Sequence, residues 1–516
     1  MSLAQGTPLL KNWIKVVSEG CVELPEPPEE KCIAMAPEKN KTATRLVKNS
    51  AWLFSAEVFS KLVALGIQII AARYLGSKGY GIFSFSFVAA AIVLDFVDYG
   101  LRTYLTRELS RRPDDTQSLL VNIFAVKWCL TLITVFVLFG IYSWLPLDRE
   151  TLYVMAIMAA AMILNGYSEI YLGVFRAFER MKLVASLMVI QRAVFFVIGF
   201  LVLVLGGGII EFSAIFLLAS ILNFLLARNF LKDQRKKFFA NIDVSLAKTI
   251  FNESKYLCLA ILFVWLYFRI DSVLIFLFLG KEETGLYVAA FKLIESLALI
   301  LASIRGALFP ALSRAFLEDP KELHQIWERA VRFLFLITIP ISVIAVTLAP
   351  QLIAIIFGPD FMASALVLQI LAAPFLFLVL NEFITYLLLA VNKTRSVIKI
   401  AIVGAIFSVV ANILIIPRMG ITGAAIVAGL TEFLLLFLFF SSIRSTCGHT
   451  PVFSLIWKPV LSATGMAYFL TEVAWPLFPL IFTGMGVYFV LLLLLRAFNE
   501  HDFQVMRNIL NREGRV

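Results

Sequence analysis

Six lysine and arginine residues lie inside stretches that are otherwise almost entirely apolar. A charge in such surroundings is costly unless a partner or a wet cavity receives it, and a cation held there can bind an anionic group such as phosphate. Three of the six fall near the middle of their stretches, where a long side chain does not easily reach polar surroundings: Lys61, Arg269 and Lys292. The other three, whose side chains could instead extend to an interface, are Lys127, Arg192 and Arg305.

Acidic residues accompany the three central cations at short spacing. Glu57 precedes Lys61 by four residues and Glu295 follows Lys292 by three, so each pair shares one face of a helix. Asp271 lies two residues after Arg269. Two readings stay open for these groups: the cations bind a substrate anion, or they form structural ion pairs. The same three acids are candidates for coupling to H⁺ or Na⁺.

No pattern typical of catalysis or of metal binding accompanies these charges. The chain has 3 histidines, all between or beyond the apolar stretches, and 5 cysteines without metal-ligand spacing. It also lacks a GxxxxGK[ST] phosphate-binding loop and the kinase motifs. We therefore expect neither a catalytic residue nor a metal site nor a cofactor, and ATP hydrolysis by this chain is excluded.

The composition shows what surrounds the charges. Of 516 residues, 60% are hydrophobic and 16% are charged, and the mean hydropathy is +0.90. Soluble proteins average roughly half apolar and about a quarter charged residues, so an ordinary soluble enzyme, a disordered chain and a nucleic-acid-binding domain are excluded. The apolar stretches reach the roughly 20 residues that a membrane-crossing helix requires. We predict an all-α polytopic membrane protein with about fourteen spans: 50–74, 80–101, 119–145, 152–174, 183–205, 212–231, 256–279, 284–311, 333–357, 363–391, 398–417, 421–442, 458–474 and 477–496.

The distribution of basic residues predicts the orientation. Lysine and arginine concentrate in every second loop, including 102–118, 175–182 and 232–255, and are sparse in the alternate loops. Basic loops mark the cytoplasmic side, so both termini are expected in the cytoplasm, and the net charge of +10 needs no nucleic acid. Residues 1–48 carry a proline- and glutamate-rich run without a signal peptide, which favours a flexible cytoplasmic tail.

A repeated motif indicates an internal duplication. The sequence LG-x4-G occurs at 75–81 and again at 279–285, and Leu-Ser-Arg follows at 109–111 and 312–314. The offset of about 204 residues spans six helices, so both copies keep one orientation, as in a parallel repeat. Two lobes that face each other imply a central cavity. The predicted units are a tail (1–48), an N-terminal lobe (49–231), a linker (232–255), a C-terminal lobe (256–442), two further helices (458–496) and a cytoplasmic tail (497–516).

Several stretches resemble the polysaccharide biosynthesis proteins, the Wzx-type flippases of lipid-linked oligosaccharides. They extend from about Lys48 to the end of the chain and include KNSAWLF (48–54), ARYLG (72–76), GIF (81–83), DYGL (98–101), FRAFER (175–180), RID (269–271) and GLYVAA (285–290). The resemblance implies membership of the multidrug/oligosaccharidyl-lipid/polysaccharide exporter superfamily and two lobes in a V, with a cationic cavity in several relatives. The arginine-rich first helix associated with lipid II flippases is not evident, and the long acidic tail departs from the family's usual N-terminus.

These observations favour a flippase at the cell membrane that is not an enzyme. Its substrate would be a polyprenyl phosphate or pyrophosphate bearing sugars, driven by H⁺, Na⁺ or the membrane potential. Glycosyltransferases, a polysaccharide polymerase and membrane lipids are the partners that this reading implies. The alternatives are a cation-coupled multidrug exporter of the MATE type, against which three mid-membrane cations argue, a lipid II flippase, and a scaffold without transport activity.

Overall fold

The computed structural model describes residues 38–112, 115–144, 146–231, 242–297, 320–391, 393–448 and 452–497. Within these ranges every regular element is a helix. The first eight helices are α1 Glu38–Asp98, α2 Leu101–Arg111, α3 Thr116–Trp144, α4 Arg149–Ala177, α5 Met181–Val204, α6 Ile209–Phe230, α7 Val244–Leu279 and α8 281–297. They are followed by α9 Pro320–Thr347, α10 Ala349–Ile356, α11 Ser364–Ala372, α12 Phe375–Ala390, α13 Thr394–Cys447, α14 Val452–Glu472 and α15 Leu477–Leu494.

Many of these helices are suited to a bilayer. Among the described residues, eight are long and apolar enough to cross a membrane, or nine if the bent pair of α11 and α12 forms one span. Large apolar side chains on their outer faces remain exposed, for example Phe136 and Phe437, as expected where lipid replaces water. The all-α polytopic class is therefore confirmed, whereas the count of fourteen spans stays a prediction.

Two glycines turn single long helices into pairs of spans. α1 breaks at Gly76 (φ 66°) and α13 breaks at Gly420 (φ 62°). Positive φ is strained for residues with a Cβ, so glycine is the natural residue at such a reversal. Gly280, which ends α7, has φ 92° and ψ −168°, close to the φ 66° and ψ 179° of Gly76. These two glycines hold the same position in the two copies of LG-x4-G, which supports the predicted repeat.

The helices pack in two groups, and α7 joins them because it also packs against α2 and α3. The chain divides into two compact units, Met1–Ala51 and Trp52–Val516, and all contacts described below lie in the second. For description, residues of α1 to α6 form the N-terminal lobe and those of α7 to α13 the C-terminal lobe. α6 packs against α4 and α5 in the first, and α13 packs against α7 and α12 in the second. The last two helices pair with each other, and α14 also packs against α9.

Three helix boundaries differ from the sequence prediction. α1 begins at Glu38, inside the predicted tail, and α7 begins at Val244, inside the predicted linker, where the Asp243 carboxylate accepts the Ser245 amide at 2.8 Å. The prediction that residues 102–118 form a loop is wrong for the part occupied by α2. That helix buries Leu101, Tyr104, Leu105 and Leu109 along one face and exposes Arg107 and Arg111 on the other. The many charged residues in this segment hid its helical period. Residues 498–516 lie outside the described ranges.

Candidate functional site

The two lobes meet backbone to backbone at one end of the molecule. A methyl group placed on Gly81 would lie 1.7 Å from the carbonyl oxygen of Lys281, and one placed on Gly285 would lie 2.0 Å from that of Ser77. Ser77 and Gly81 in one lobe correspond to Lys281 and Gly285 in the other at the offset of 204 residues. The contact is therefore reciprocal, as across a two-fold axis. We call this contact the glycine crossing.

Side chains reinforce the crossing at the same end, which the basic-loop pattern predicts to be extracytoplasmic and which we call the outer end. Arg73 of the N-terminal lobe donates to the carbonyl oxygens of Ile355 and Ile356, the latter at 2.8 Å. Its guanidinium thereby binds the C-terminal carbonyls of α10, where a cation is favoured. Phe85 and Phe276 stack across the lobes with ring centroids 3.6 Å apart. In the described structure the outer end is therefore closed.

An ion pair also spans the lobes at the outer end. Lys281, at the start of α8, contacts Asp148, which caps α4 by accepting the Thr151 amide at 3.4 Å and also accepts the Thr151 hydroxyl at 2.7 Å. Partial burial raises the pKa of the Asp148 carboxyl, but hydrogen bonds from Lys281 and Thr151 outweigh this and lower the pKa to about 2. The ionised Asp148 carboxylate therefore stabilises the closed outer end, fully so when the pH is above the ordinary carboxyl pKa near 4. This stabilisation is lost as the pH falls through about 2.

Asp148→Asn tests that ion pair. Asparagine remains a good N-cap, so α4 should stay intact while the charge is lost. Because both side chains are partly exposed, we expect a modest opening of the outer end, by a factor of about 2 to 5, in keeping with the small energies of such pairs. The opening of the outer end is measured by the accessibility of a single cysteine, introduced at Ser77, to an impermeant thiol reagent. The wild-type accessibility should stay constant between pH 7 and 4, and equal accessibility in both proteins would contradict a role in closure.

A group of cations lies between the lobes, deeper than the crossing. Arg269 Nη2 contacts Glu295 Oε1 at 2.7 Å, and Lys292 Nζ contacts Glu295 Oε2 at the same distance. Arg192, from α5 in the other lobe, and Arg269 both act electrostatically on the Lys292 ammonium. Two cations thus share one carboxylate and a third acts on one of them, which leaves a net charge of about +2. We call these four residues the cation cluster.

The cation cluster lies near the middle of the membrane. Each cation is 10 to 12 residues from the outer end of its helix, or roughly 15–18 Å at the helical rise, against a hydrocarbon core of about 30 Å. The Arg269 and Lys292 side chains are 15% and 19% exposed, whereas that of Glu295 is 42% exposed. The cluster is therefore accessible to a polar ligand without lying at a surface.

Other predicted site residues lie elsewhere. Lys61 pairs with Glu57 at 3.0 Å, and both side chains are substantially exposed. Lys127 is fully buried inside the N-terminal lobe, where its ammonium binds Asp98 at 3.2 Å and lies over the Tyr167 ring, so it does not extend to the interface. Arg305 lies outside the described residues.

Asp271 belongs to a second polar region, inside the C-terminal lobe. Its carboxylate accepts the Tyr287 hydroxyl and the Ser272 amide, so its hydrogen bonds are not to Arg269. It lines a cavity of about 50 Å³ together with the buried Glu432 and the polar residues Tyr267, Ser408, Asn412 and Thr431. Glu432 accepts hydrogen bonds from Tyr267 and, at 2.7 Å, from the Asn381 amide. We call this space the acidic cavity.

The sequence analysis did not single out Glu432, Tyr267, Asn381 or Asn412. Tyr267 and Asn381 both bind Glu432, which is far from them in sequence, so no local spacing could pair these residues. A usable signal existed nonetheless. Asparagine and tyrosine inside apolar spans require hydrogen-bond partners in the membrane, as acids do. Among the described residues, no group of three His, Cys, Asp or Glu side chains is arranged to hold a metal ion.

Two family models and several known proteins match this sequence. The sequence model of the family described as "Polysaccharide biosynthesis protein" matches residues 46–316, and that of the MatE family matches residues 257–414. A probable low-salt glycan biosynthesis flippase of Haloferax volcanii is 24% identical over 89% of this chain and 98% of its own length. A putative O-antigen transporter of Shigella flexneri is 21% identical over 74% of this chain and 93% of its own length.

Solved structures share the fold. The lipid II flippase MurJ in an inward closed conformation matches with a TM-score of 0.70 and 16% identity, over 85% of this chain and 97% of its own. A MATE-family multidrug transporter in an inward-facing conformation matches with a TM-score of 0.60 and 13% identity, over 77% of this chain and 95% of its own. The family match covers more than half of the sequence. The chain therefore belongs to the polysaccharide biosynthesis protein family and is a multi-pass membrane transporter of the flippase type rather than an enzyme.

Proposed function

We propose that this protein moves a polyprenyl phosphate- or pyrophosphate-linked oligosaccharide from the cytoplasmic to the outer leaflet of the cell membrane by alternating access. The observation that carries the proposal is the cation cluster, in which Arg269 and Lys292 contact the single carboxylate of Glu295 and Arg192 of the other lobe acts on Lys292. The names of the two curated relatives, a glycan biosynthesis flippase and an O-antigen transporter, support the substrate class.

The physical problem is the polar head of such a lipid. A buried polar group without hydrogen bonds costs several kcal/mol, so a sugar phosphate does not cross hydrocarbon at a useful rate. A net charge of about +2 at mid-membrane depth replaces the hydration of the phosphates, while the polyprenyl chain stays in the bilayer. An inside-negative potential then favours outward movement of an anion by roughly 2.3 kcal/mol per charge per 100 mV.

The glycine crossing supplies one of the two states that alternating access requires. With the outer end closed, the cluster is reached from the side of the basic loops, which we place in the cytoplasm together with both termini. Movement to the outer leaflet then requires the crossing, the Arg73 contacts and the Asp148–Lys281 pair to separate together. Contacts between rigid backbones are well suited to an open-or-closed transition, because they do not deform gradually.

The acidic cavity is the proposed site of coupling to H⁺ or Na⁺. It presents the carboxylates of Asp271 and Glu432, and the Asn412 side-chain oxygen is buried without a hydrogen-bond partner among the described residues. About 50 Å³ of space accommodates an ion with few waters. α7 carries both Asp271 in this cavity and Arg269 in the cation cluster. Because the two residues are only two positions apart on one helix, binding of a cation at Asp271 can alter the position of Arg269.

Asp271→Asn is expected to abolish the dependence of flipping on the coupling cation. The substitution keeps the size of the side chain but removes the charge that neutralises a bound ion or accepts a proton. Flipping in proteoliposomes should be compared with and without a Na⁺ gradient and with and without a pH gradient. We expect the gradient effect to vanish in Asp271→Asn and to persist in Glu57→Gln, whose ion pair is exposed. An unchanged gradient effect in Asp271→Asn would refute coupling at this cavity.

The proposed function is tested by reconstitution with a labelled polyprenyl-pyrophosphate oligosaccharide. The protein should accelerate appearance of the sugar in the opposite leaflet, measured by its accessibility to a lectin. A cationic dye and lipid II are the competing substrates, since a MATE-type exporter or a lipid II flippase would prefer them. The net positive charge of the cation cluster disfavours the dye. Transport of the dye with no flipping of the oligosaccharide would overturn the assignment.

A further inference from the structure

A groove on the surface of the C-terminal lobe lies away from the cation cluster. It has a volume of about 440 Å³ and is lined by Lys393, Ser396, Lys399, Ile400, Leu438, Ser441 and Ser442. Lys393 precedes α13, the next three residues lie in its first turns, and the last three lie toward its other end. The two halves of α13 run side by side, since Gly404 packs against Leu435. The groove therefore lies where two membrane-crossing segments reach one boundary of the bilayer.

The lining of the groove suits a phosphodiester. Two lysines and three serines supply ammonium and hydroxyl donors, and no acid is among the lining residues. Lys393 is already directed across the groove, because its ammonium donates to the Ser442 carbonyl at 3.4 Å. Arg395 and Arg444 lie in the adjoining turns and add positive charge at the same boundary. Charge-assisted hydrogen bonds from such donors are among the strongest available to a phosphate.

Exposed apolar side chains continue from the groove into the membrane. On the first half of α13, Lys399 is followed at helical spacing by Val403, Ile406 and Val410, which are 46%, 57% and 52% exposed. On the second half, Ser441 is preceded by Phe437 and Phe433, which are 68% and 57% exposed. Residues three or four apart share a helix face, so each wall of the groove extends into an apolar stripe. A free phosphate ion would make no use of these stripes.

We propose that this groove binds an anionic glycerophospholipid of the surrounding bilayer. Its phosphodiester lies against Lys393 and Lys399, the serine hydroxyls bind its headgroup, and its acyl chains lie along the two stripes. The basic-loop pattern places this boundary on the cytoplasmic side, where anionic lipids attract basic residues. The site is separate from the transport path, because the cation cluster lies between the lobes at mid-membrane depth.

Retention of lipid by the purified full-length protein tests the site. The protein is extracted into detergent, supplied with phosphatidylglycerol or phosphatidylcholine, and examined by native mass spectrometry. We expect one phosphatidylglycerol to be retained in at least about fivefold excess over phosphatidylcholine, and Lys393→Gln/Lys399→Gln to remove that preference. Lys399→Arg should keep it. Lys248→Gln, which removes an exposed lysine from the start of α7, is the matched control and should also keep it.

Two further arms identify the source of the phosphate. Inorganic phosphate added without lipid should raise the melting temperature of wild type and the double variant equally. A rise in wild type alone, with no preference among lipids, would assign the groove to a free anion and overturn the proposal. Ser441→Trp, which fills the groove without changing charge, should also reduce phosphatidylglycerol retention. Undiminished retention by both Ser441→Trp and the double variant would likewise overturn it, whatever their stability.

Discussion

Arg269→Ala is expected to reduce oligosaccharide flipping by about 10- to 100-fold. The reason is that a hydrogen bond to a charged group contributes about 1.5–3 kcal/mol, and each 1.4 kcal/mol is roughly a factor of ten. The Arg269 guanidinium lies in the cation cluster between the lobes, where it binds Glu295 at 2.7 Å. Initial flipping rates in proteoliposomes, corrected for the amount of folded protein, measure the effect. Arg269→Lys should retain more activity than alanine because it keeps the charge.

A purely structural role for Arg269 makes a different prediction. If Arg269 and Lys292 only neutralise Glu295, removing the charges of these three residues together should restore function, since none of the three is then left buried without its partner. Lys292 shares the same carboxylate, so Arg269→Gln/Glu295→Gln alone would leave it unpaired. The required variant is Arg269→Gln/Lys292→Gln/Glu295→Gln. Folded but inactive protein would support phosphate binding, whereas full activity would contradict it. Lys61→Gln/Glu57→Gln, an exposed pair, shows the effect of removing a salt bridge elsewhere.

The cation cluster also shows how far the sequence alone could lead. Arg269, Lys292 and Glu295 were identifiable because a charge at the centre of an apolar stretch requires a partner or a cavity. Arg192 could not be ranked with them, since its distance from the end of its own helix is compatible with reaching the interface. Only the folded structure brings it near enough to Lys292 to act on that ammonium. Lys61 is also central in its span. It pairs with Glu57 on an exposed face of its helix, so neither residue belongs to the cation cluster.

The contacts at the outer end were also only partly predictable from the sequence. The two LG-x4-G motifs predicted that two segments are equivalent, and the similar backbone angles of Gly76 and Gly280 agree with that prediction. That the second glycine of each motif contacts the other copy could not be derived, because a repeat defines equivalence and not contact. The pairing of Asp148 with Lys281 was likewise hidden, since the two residues are far apart in sequence and each lies at a helix start.

Gly81→Ala is expected to prevent closure of the outer end and to reduce flipping by about 100-fold or more. The added methyl group would lie 1.7 Å from the Lys281 carbonyl oxygen and 2.9 Å from the Gly285 amide nitrogen. Both are backbone atoms, so no side-chain rotation relieves the contact. A cost above about 3 kcal/mol reduces the population of the closed state roughly 100-fold. The lobes should still fold, because the packing of α6 on α4 and of α13 on α7 lies within each lobe.

The measurement that separates failed closure from failed folding is access to the cation cluster from outside. A single cysteine at Ser296, on the helix that carries Lys292 and Glu295, reports it when an impermeant thiol reagent is added to intact cells. Labelling should be slow in the parent and faster in Gly81→Ala. Gly285→Ala should behave alike, because the crossing is reciprocal. Gly486→Ala, where an added methyl meets no atom within 4 Å, is the matched control and should leave labelling and flipping unchanged. Slow labelling and normal flipping in Gly81→Ala would show that the lobes do not need this contact to close.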